Sequence, residues 1–290
     1  MKPALTVEEQ LTLLKSRNLV FEREDEADET LFLNNYYRLS GYWRNFQIDP
    51  KNGNNNFKES ITFEKILEIY KLDFQLRNLL LKGIGVFEVS FRSKLSYYMA
   101  HSQELGMYSY LIAESYTDKV SKGEKIEDLL FKINKELDIS KEISIAHYKA
   151  RKESVPIWAA VEVLGFGTIS KMFSRWKNRD VVKNVYRDFE FFRLLREYDN
   201  IFTTMRALTQ LRNLCAHQAR IWNKKVITTV VDKDYLKKFG ESEPRAQWRV
   251  ISALMWLVDG INSNNEYSEE MLNLCKSNDE FYKGLIEPNL

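Results

Sequence analysis

The residues from Phe63 to about Met99 carry one long helical pattern, which constrains the fold more than any other feature of the chain. Thr62 precedes the pattern and supplies a hydroxyl that can cap the first turn. Gly83 and Gly85 mark a point where the helix can break. Apolar side chains recur at helical spacing along it. They are Ile66, Ile69, Tyr70, Phe74, Leu76 and Leu80.

The rest of the chain also favours helices. Gly and Pro, with 11 and 5 residues in 290, have about half their usual share, which disfavours many short strands. Thr6 and Glu9 have the spacing of a capping box, and the acidic residues 22–29 suit a solvated turn or a helix start. Residues 49–60 are interpreted as a loop. The sequence therefore predicts an all-α fold.

Two parts of the chain are distinguished at this stage. Residues 1–60 are expected to form an N-terminal helical segment, either packed on the core or a separate module. Residues 61–290 form the main helical domain, and the length of 290 residues allows one large domain or two ordinary ones.

Several classes of protein are excluded by composition. Charged residues at 29% and hydrophobic residues at 44% exclude a disordered or membrane-embedded chain. The longest apolar run, Val250–Val258, is far shorter than the ~20 residues of a membrane span. Two cysteines and three separated histidines form no zinc framework, so neither a metal nor a cofactor is expected. A reduced, cytoplasmic setting is expected.

Positive charge is concentrated in one part of the chain. The total of 43 basic and 41 acidic residues gives only +2, which taken alone argues against a nucleic-acid-binding protein. Residues 151–250, however, hold 20 basic and 11 acidic residues, and residues 171–225 alone carry +8. Residues 1–50 and 251–290 carry −3 and −5. The basic segment is either a solvated helix face or a surface that faces phosphates.

One group of residues in this segment can carry chemistry. An apolar stripe at helical spacing is formed by Tyr198, Ile201, Met205, Leu208 and Cys215. Arg212 falls in the same stripe, and because a buried, unpaired guanidinium is costly, it needs a partner or a cleft. Asn213 and His217 are four residues apart and share a helix face.

The chemistry available to these residues is phosphodiester transfer. An imidazole with a pKa of about 6.5 exchanges protons at neutral pH. A guanidinium grips a phosphate and stabilises the charge that grows on it. Together, His217 and Arg212 could promote attack of an RNA 2′-hydroxyl on the adjacent phosphodiester without a metal. Taken alone, the spacing is a weak signal, since a single His on a helix is more often structural.

Three stretches carry a resemblance to a known family. They are Asn35-Tyr36-Tyr37-Arg38-Leu39-Ser40-Gly41-Tyr42-Trp43, Pro156-x-Trp158-x-x-x-Glu162-x-x-x-Phe166-Gly167-Thr168-Ile169-Ser170 and Arg212-Asn213-x-Cys215-Ala216-His217-x-x-Arg220-Ile221-Trp222-Asn223. The Arg-Asn-x-x-x-His portion resembles the signature of the HEPN superfamily of ribonucleases. All three together resemble the Abi-like proteins, the AbiD/AbiF group of bacterial abortive-infection defence against phage.

The resemblance implies a HEPN-like helical bundle with additional N-terminal and C-terminal helices, and a metal-independent endoribonuclease. His217 would act as general acid/base, Arg212 as phosphate clamp and Asn213 as positioning residue. The residues expected to contact RNA are Arg220, Asn223, Lys224 and Lys225. Because the chain has no second Arg followed closely by His, the composite site of the family would require a homodimer.

A second function stays open. The same residues could hold RNA, a small regulatory RNA, an antitoxin or another protein without cutting. Two further points are also open. Glu88 could pair with Arg212 or face solvent. The aromatic residues at 36, 37, 42 and 43 could stack on bases, although such spacing is more typical of core packing.

Overall fold

The computed structural model describes residues 4–102, 106–117, 125–189, 200–228, 230 and 234–289. The predicted all-α fold is confirmed, because helices dominate the described residues. The first four helices are α1 (Val7–Ser16), α2 (Glu24–Asn34), α3 (Tyr36–Trp43) and α4 (Phe63–Ala100). The middle of the chain forms α5 (Ile126–Ile139), α6 (Ile143–Ala150), α7 (Ile157–Val163), α8 (Phe166–Arg175) and α9 (Arg179–Asp188).

The C-terminal part is helical as well. Its helices are α10 (Asn200–Ala216), α11 (Asp234–Phe239), α12 (Gln247–Asn262), α13 (Glu266–Lys276) and α14 (Asp279–Ile286). Short 3-10 helices span Arg44–Phe46, Gly106–Leu111 and Ala113–Ser115. Within the described ranges, none of the helices combines the length and apolar character needed to cross a bilayer.

Helix α4 is the element around which the described chain is built. Its 38 residues span about 57 Å at the usual rise of an α-helix. It packs against α3, α7, α9, α10, α12 and α13. As predicted, Thr62 caps it, since the hydroxyl accepts a hydrogen bond from the backbone N–H of Lys65 at 3.2 Å. The possible break at Gly83 and Gly85 does not occur, and the helix is continuous.

Aromatic clusters cover both halves of α4. Near its N-terminal half, the ring of Tyr42 contacts those of Tyr70 and Trp222. Near its C-terminal half, Phe87 and Phe91 contact one another and the rings of Phe166, Phe173 and Phe189. Since both clusters belong to one buried core, the helices on either side of α4 are held by the same packing.

The N-terminal segment contributes to this core. Leu39, Tyr42 and Trp43 of α3 are almost completely buried in it. The capping box of α1 is formed as predicted: the Thr6 hydroxyl accepts from the Glu9 N–H, and the Glu9 carboxylate accepts from the Thr6 N–H. Through α3, the N-terminal segment thus packs in the same core as α4, while the division at residue 60 stays a prediction.

The interpretation of residues 49–60 as a loop was wrong in part. An antiparallel pair forms there from β1 (Gln47–Asp49) and β2 (Asn54–Phe57), with Gln47 opposite Phe57 and Asp49 opposite Asn54. The polar run hides the pairing because its asparagines favour turns. Phe57, which is buried, anchors the ribbon to the core.

Two glycines of α4 offer a matched test of this packing. A Cβ on Gly83 would lie 2.2 Å from the hydroxyl of buried Tyr267, whereas a Cβ on Gly85 would meet nothing within 4 Å. We expect Gly83→Ala to lower the free energy of unfolding by about 1–3 kcal/mol. Gly85→Ala should raise it by about 0.5–1 kcal/mol, because alanine is the better helix former. Urea unfolding of both variants checks this, and equal stability of the two would contradict it.

Candidate active site

The end of α10 presents Asn213 and His217 to solvent on one face. The His217 N–H donates to the Asn213 carbonyl at 3.0 Å, so the helical turn continues through residue 217. Both side chains are exposed. The His217 ring has no hydrogen-bond partner among the described residues, which leaves both ring nitrogens open to a ligand. The sequence expectation that the two residues share a face therefore matches the geometry.

Arg212 is not buried in the apolar seam where the sequence pattern placed it. The buried positions of α10 are Ile201, Thr204, Met205, Ala207, Leu208, Leu211 and Cys215, and Tyr198 lies outside the described residues. Arg212 lies at the edge of this stripe and is half-buried, because its long stem reaches out near the helix end. Its Nη1 donates to Asn213 Oδ1 at 3.4 Å, and no ion pair of Arg212 exists within the described ranges.

Cys215 lies between these residues in sequence but on the opposite side of the helix. Its side chain is fully buried, and burial raises the pKa of the thiol to about 12. A thiol of this kind stays protonated at neutral pH and is a poor nucleophile. The chemistry available at this helix end is therefore that of His217 and not that of Cys215.

A pocket of about 260 Å³ opens beside His217. We call it the motif pocket. Its lining residues are Ala207, Gln210, Leu211, Asn213, Leu214, His217, Ala219, Lys224, Lys225, Val226, Ile227, Thr228, Gln247 and Val250. Four of the predicted site residues, Asn213, His217, Lys224 and Lys225, thus meet around one cavity. Arg212 does not line the pocket. It is hydrogen-bonded to Asn213, which does line it.

Arg220 and Asn223, the other two predicted RNA contacts, are engaged elsewhere. The Arg220 guanidinium donates to the Gly41 carbonyl and lies over the Tyr42 ring. Asn223 is 1% exposed, and its amide exchanges two hydrogen bonds of 2.8 Å with Asn289. Asn223 is thus buried, whereas Arg220 is partly exposed and its guanidinium is held by the Gly41 carbonyl. Contacts of either residue to RNA stay a prediction.

A buried carboxylate anchors the segment that follows α10. Asp73 of α4 is completely buried. Its oxygens accept hydrogen bonds from the backbone N–H of Trp222 at 2.9 Å, from that of Ile221 at 3.3 Å and from the Tyr42 hydroxyl at 2.6 Å. Arg77, one turn further along α4, forms an ion pair with it. The Asp73 carboxylate therefore joins α3, α4 and residues 221–222.

Electrostatics at this carboxylate follow from its burial. Burial raises the pKa of Asp73, and the charge of Arg77 opposes that rise. Burial and the neighbouring carboxylate also raise the pKa of Tyr42, so its hydroxyl stays protonated and donates. Because a buried carboxylate needs partners for its lone pairs, these hydrogen bonds are what make an internal charge tolerable.

The same network fixes the residue after His217. Gln218 adopts a left-handed conformation with φ of 54°. Its side-chain oxygen accepts from Arg77 Nε at 3.2 Å, and its backbone carbonyl accepts from the Arg38 guanidinium. The chain thus turns sharply at Gln218, and hydrogen bonds from Arg77 and Arg38 stabilise the turn. This turn brings residues 224–228 back to face His217 across the motif pocket.

Sequence reasoning missed Asp73 and Arg77. The available signal was two opposite charges four residues apart among the buried apolar positions of α4, such as Leu76 and Leu80. Such a pair on the core face of a helix needs further partners in the interior. The sequence also left open whether Glu88 pairs with Arg212 or faces solvent. In the structure it pairs with Arg92.

Hydrogen bonds from Arg92 and to Glu136 hold part of the stretch 156–170, the second of the three that resemble the family. Its guanidinium donates to the carbonyls of Val161 and Leu164 at the end of α7. Glu136 of α5 accepts from the Gly165 N–H and the Thr168 hydroxyl at the start of α8. These bonds fix the break between the two helices, whereas Trp158 and Glu162 of the same stretch are exposed.

Three of the four aromatic residues of α3 pack in or against the core, and base stacking by the fourth stays a prediction. Tyr42 and Trp43 are buried, and Tyr36 packs edge-on against Trp43 with centroids 4.8 Å apart. Tyr37, by contrast, is 86% exposed. Core packing is therefore the main role of this cluster, with Tyr37 as the exception.

The described residues thus form an all-α protein in which the exposed imidazole of His217 lies at a largely apolar pocket that two lysines also line. A family model described as Abi-like protein matches residues 29–223, about two thirds of the chain. The chain belongs to this Abi-like family, which suggests a role in abortive-infection defence. The match extends from α2 to the segment bound by Asp73. No curated protein and no solved structure gives a significant match.

The Asp73 network can be tested through stability. Asp73→Asn should lower the free energy of unfolding by about 3–5 kcal/mol, because it leaves the Arg77 guanidinium buried without a counter-charge. The control is Glu270→Gln, which breaks the exposed pair of Lys82 and Glu270 and should cost less than about 1 kcal/mol. Chemical unfolding monitored by circular dichroism gives both values.

A milder variant covers the case in which Asp73→Asn does not fold. Tyr42→Phe removes only the hydroxyl that donates to Asp73 and should cost about 1–3 kcal/mol, since the carboxylate loses one partner. If Tyr42→Phe and Glu270→Gln were both neutral, the anchoring role assigned to Asp73 would be wrong.

Proposed function

We propose that the protein is a metal-independent endoribonuclease of the HEPN type that acts in abortive infection against phage. The observation that carries the proposal is the exposed imidazole of His217, which lies at a pocket lined also by the ammonium-bearing Lys224 and Lys225. Membership of the Abi-like family supports the biological setting. The substrate in this proposal is a single-stranded RNA.

The proposed reaction is an internal transfer of a phosphodiester. A base takes the proton of a ribose 2′-hydroxyl, and the 2′-oxygen attacks the adjacent phosphorus. The bond from phosphorus to the 5′-oxygen breaks, and an acid donates a proton to that oxygen. The products are an RNA that ends in a 2′,3′-cyclic phosphate and an RNA with a free 5′-hydroxyl. In this scheme His217 moves the protons, since an imidazole does so near neutral pH.

Arg212 and Asn213 have supporting roles in the proposal. Arg212 would neutralise the charge that grows on the phosphate oxygens, for which a guanidinium is suited. Asn213 positions it, because its Oδ1 accepts a hydrogen bond from Arg212 Nη1. Lys224 and Lys225 would contact phosphates beside the cleaved bond, which makes binding weaken as salt rises.

A homodimer supplies what one subunit lacks. The reaction uses one base and one acid, whereas the motif pocket of a subunit has one imidazole among its lining residues. His101 is bonded to the Tyr97 carbonyl, and His147 is bonded to Arg151. Neither lines the pocket. Two copies of His217 in a composite site of two subunits would provide both groups.

Cleavage by His217 can be tested with a matched pair of variants. His217→Ala should lower the cleavage rate of single-stranded RNA by about 100- to 10,000-fold, because general acid/base catalysis is lost. His147→Ala removes another exposed imidazole, far along the chain, and should cleave like the wild type. A gel assay with chelator present, and detection of the cyclic phosphate at the new end, provide the measurement.

Two results would contradict the enzyme. One is equal cleavage by the wild type and His217→Ala. The other is RNA binding by both proteins with cleavage by neither, which would favour the non-catalytic RNA-binding module. Arg212→Lys gives a further check, since it keeps the charge but loses the two-pronged grip on phosphate and should also slow cleavage.

The composite site predicts that oligomeric state and activity change together. Sedimentation velocity should show a dimer at the concentrations at which RNA is cut. The cleavage rate per subunit should fall when dilution separates the subunits, because each loses the second imidazole. A protein that sediments as a strict monomer and still cleaves RNA would rule out the dimer site but not the activity of His217.

A further inference from the structure

Gln247 lines the motif pocket, and its side chain carries a hydrogen-bond donor without a partner among the described residues. It is the first residue of α12 and is 1% exposed. Its Nε2 is buried and makes no hydrogen bond to any residue that the structure describes. A buried donor without a partner costs stability, so its presence needs an explanation. Because Gln247 lines the motif pocket, a bound molecule can supply the missing acceptor.

The remaining walls of the pocket are suited to a flat, apolar face. The apolar lining residues are Ala207, Leu211, Leu214, Val226, Ile227 and Val250. At the same cavity lie the cations Lys224 and Lys225 and the imidazole of His217. An occupant that fits all three features has an apolar ring face, an acceptor at its edge and a negative charge beside it. A nucleotide of single-stranded RNA has these properties.

We propose that the motif pocket binds one unpaired nucleobase, with Gln247 Nε2 donating a hydrogen bond to an acceptor on the edge of the base. This inference rests on the proposed function for the identity of the ligand as RNA. It adds a specificity-determining residue to that function. The base in the pocket lies next to the phosphate that Lys224 and Lys225 contact, so the enzyme prefers certain nucleotides at one position beside the cut.

The stability of a Gln247 variant distinguishes a role in ligand recognition from a structural role. Gln247→Leu keeps the approximate volume and removes the unpaired donor. If the donor serves a ligand, the unliganded variant is as stable as the wild type or more stable, because no internal hydrogen bond is lost. If Gln247 instead holds α12 in place, the variant melts at a lower temperature and all its functions decline together.

The experiment uses four short single-stranded RNAs that differ at one central nucleotide. Each has a 2′-O-methyl group there, which prevents cleavage at that position. Fluorescence anisotropy gives the affinity of the full chain for each RNA. We expect the wild type to bind the best and worst RNA with affinities that differ by about 10-fold, the worth of one buried hydrogen bond. In Gln247→Leu this difference should disappear.

Lys225→Ala serves as the matched comparison. It removes a phosphate contact of the same pocket and should weaken binding of all four RNAs by a similar factor, without a change in their order. The proposal is overturned if the wild type binds the four RNAs equally. It is also overturned if Gln247→Leu keeps the wild-type order, or if the variant merely melts earlier and binds all four RNAs more weakly.

Cleavage of the unmethylated RNAs separates this inference from the proposed function. If the wild type cuts and Gln247→Leu cuts with the same base preference, the nucleobase pocket is wrong and the ribonuclease stands. If nothing is cut but the preference in binding disappears in Gln247→Leu, the ribonuclease is wrong and the nucleobase pocket stands.

Discussion

The carboxylate of Asp73 is the interaction on which the geometry of the motif region depends. It takes a hydroxyl hydrogen bond from Tyr42 and backbone hydrogen bonds from Ile221 and Trp222, and it pairs with Arg77. These partners lie in α3, in α4 and beyond the end of α10. Without this anion in the interior, residues 221 and 222, which follow α10, would lose their backbone hydrogen bonds to α4.

A buried ion pair is a poor source of net stability, because taking two charges out of water offsets most of their attraction. The main effect of Asp73 is therefore to position the backbone of Ile221 and Trp222. An apolar pair could fill the same volume, but it could not accept the backbone N–H groups of Ile221 and Trp222. Those groups would then be buried without partners. The charge thus holds residues 221 and 222 against α4, shortly before the chain reaches Lys224 and Lys225 at the motif pocket.

Features governed by local rules were predictable from the sequence. Helix α4 and its cap at Thr62 follow from hydrophobic spacing and from one side-chain hydrogen bond to a nearby N–H. The contact between Gly83 and Tyr267 and the bonds of Asp73 to a segment 148 residues later depend on long-range packing, which no local pattern encodes. The site was predictable in part for the same reason. Helical spacing placed Asn213 and His217 together, whereas the engagement of Arg220 depends on the distant Gly41 carbonyl.

The distribution of charge along the chain is a further feature whose meaning depends on long-range packing. It also affects how RNA would be recognised. The sequence shows that residues 171–225 are basic. It does not show which of these arginines form hydrogen bonds within the protein and which are available to a ligand. Arg175 is 5% exposed and donates to the Lys125 carbonyl, and Arg220 is likewise used inside the protein. Among the described residues, the cations that line the motif pocket are Lys224 and Lys225. Since few phosphate contacts give little affinity, the proposed binding of RNA would draw also on contacts between a base and the apolar walls of the motif pocket.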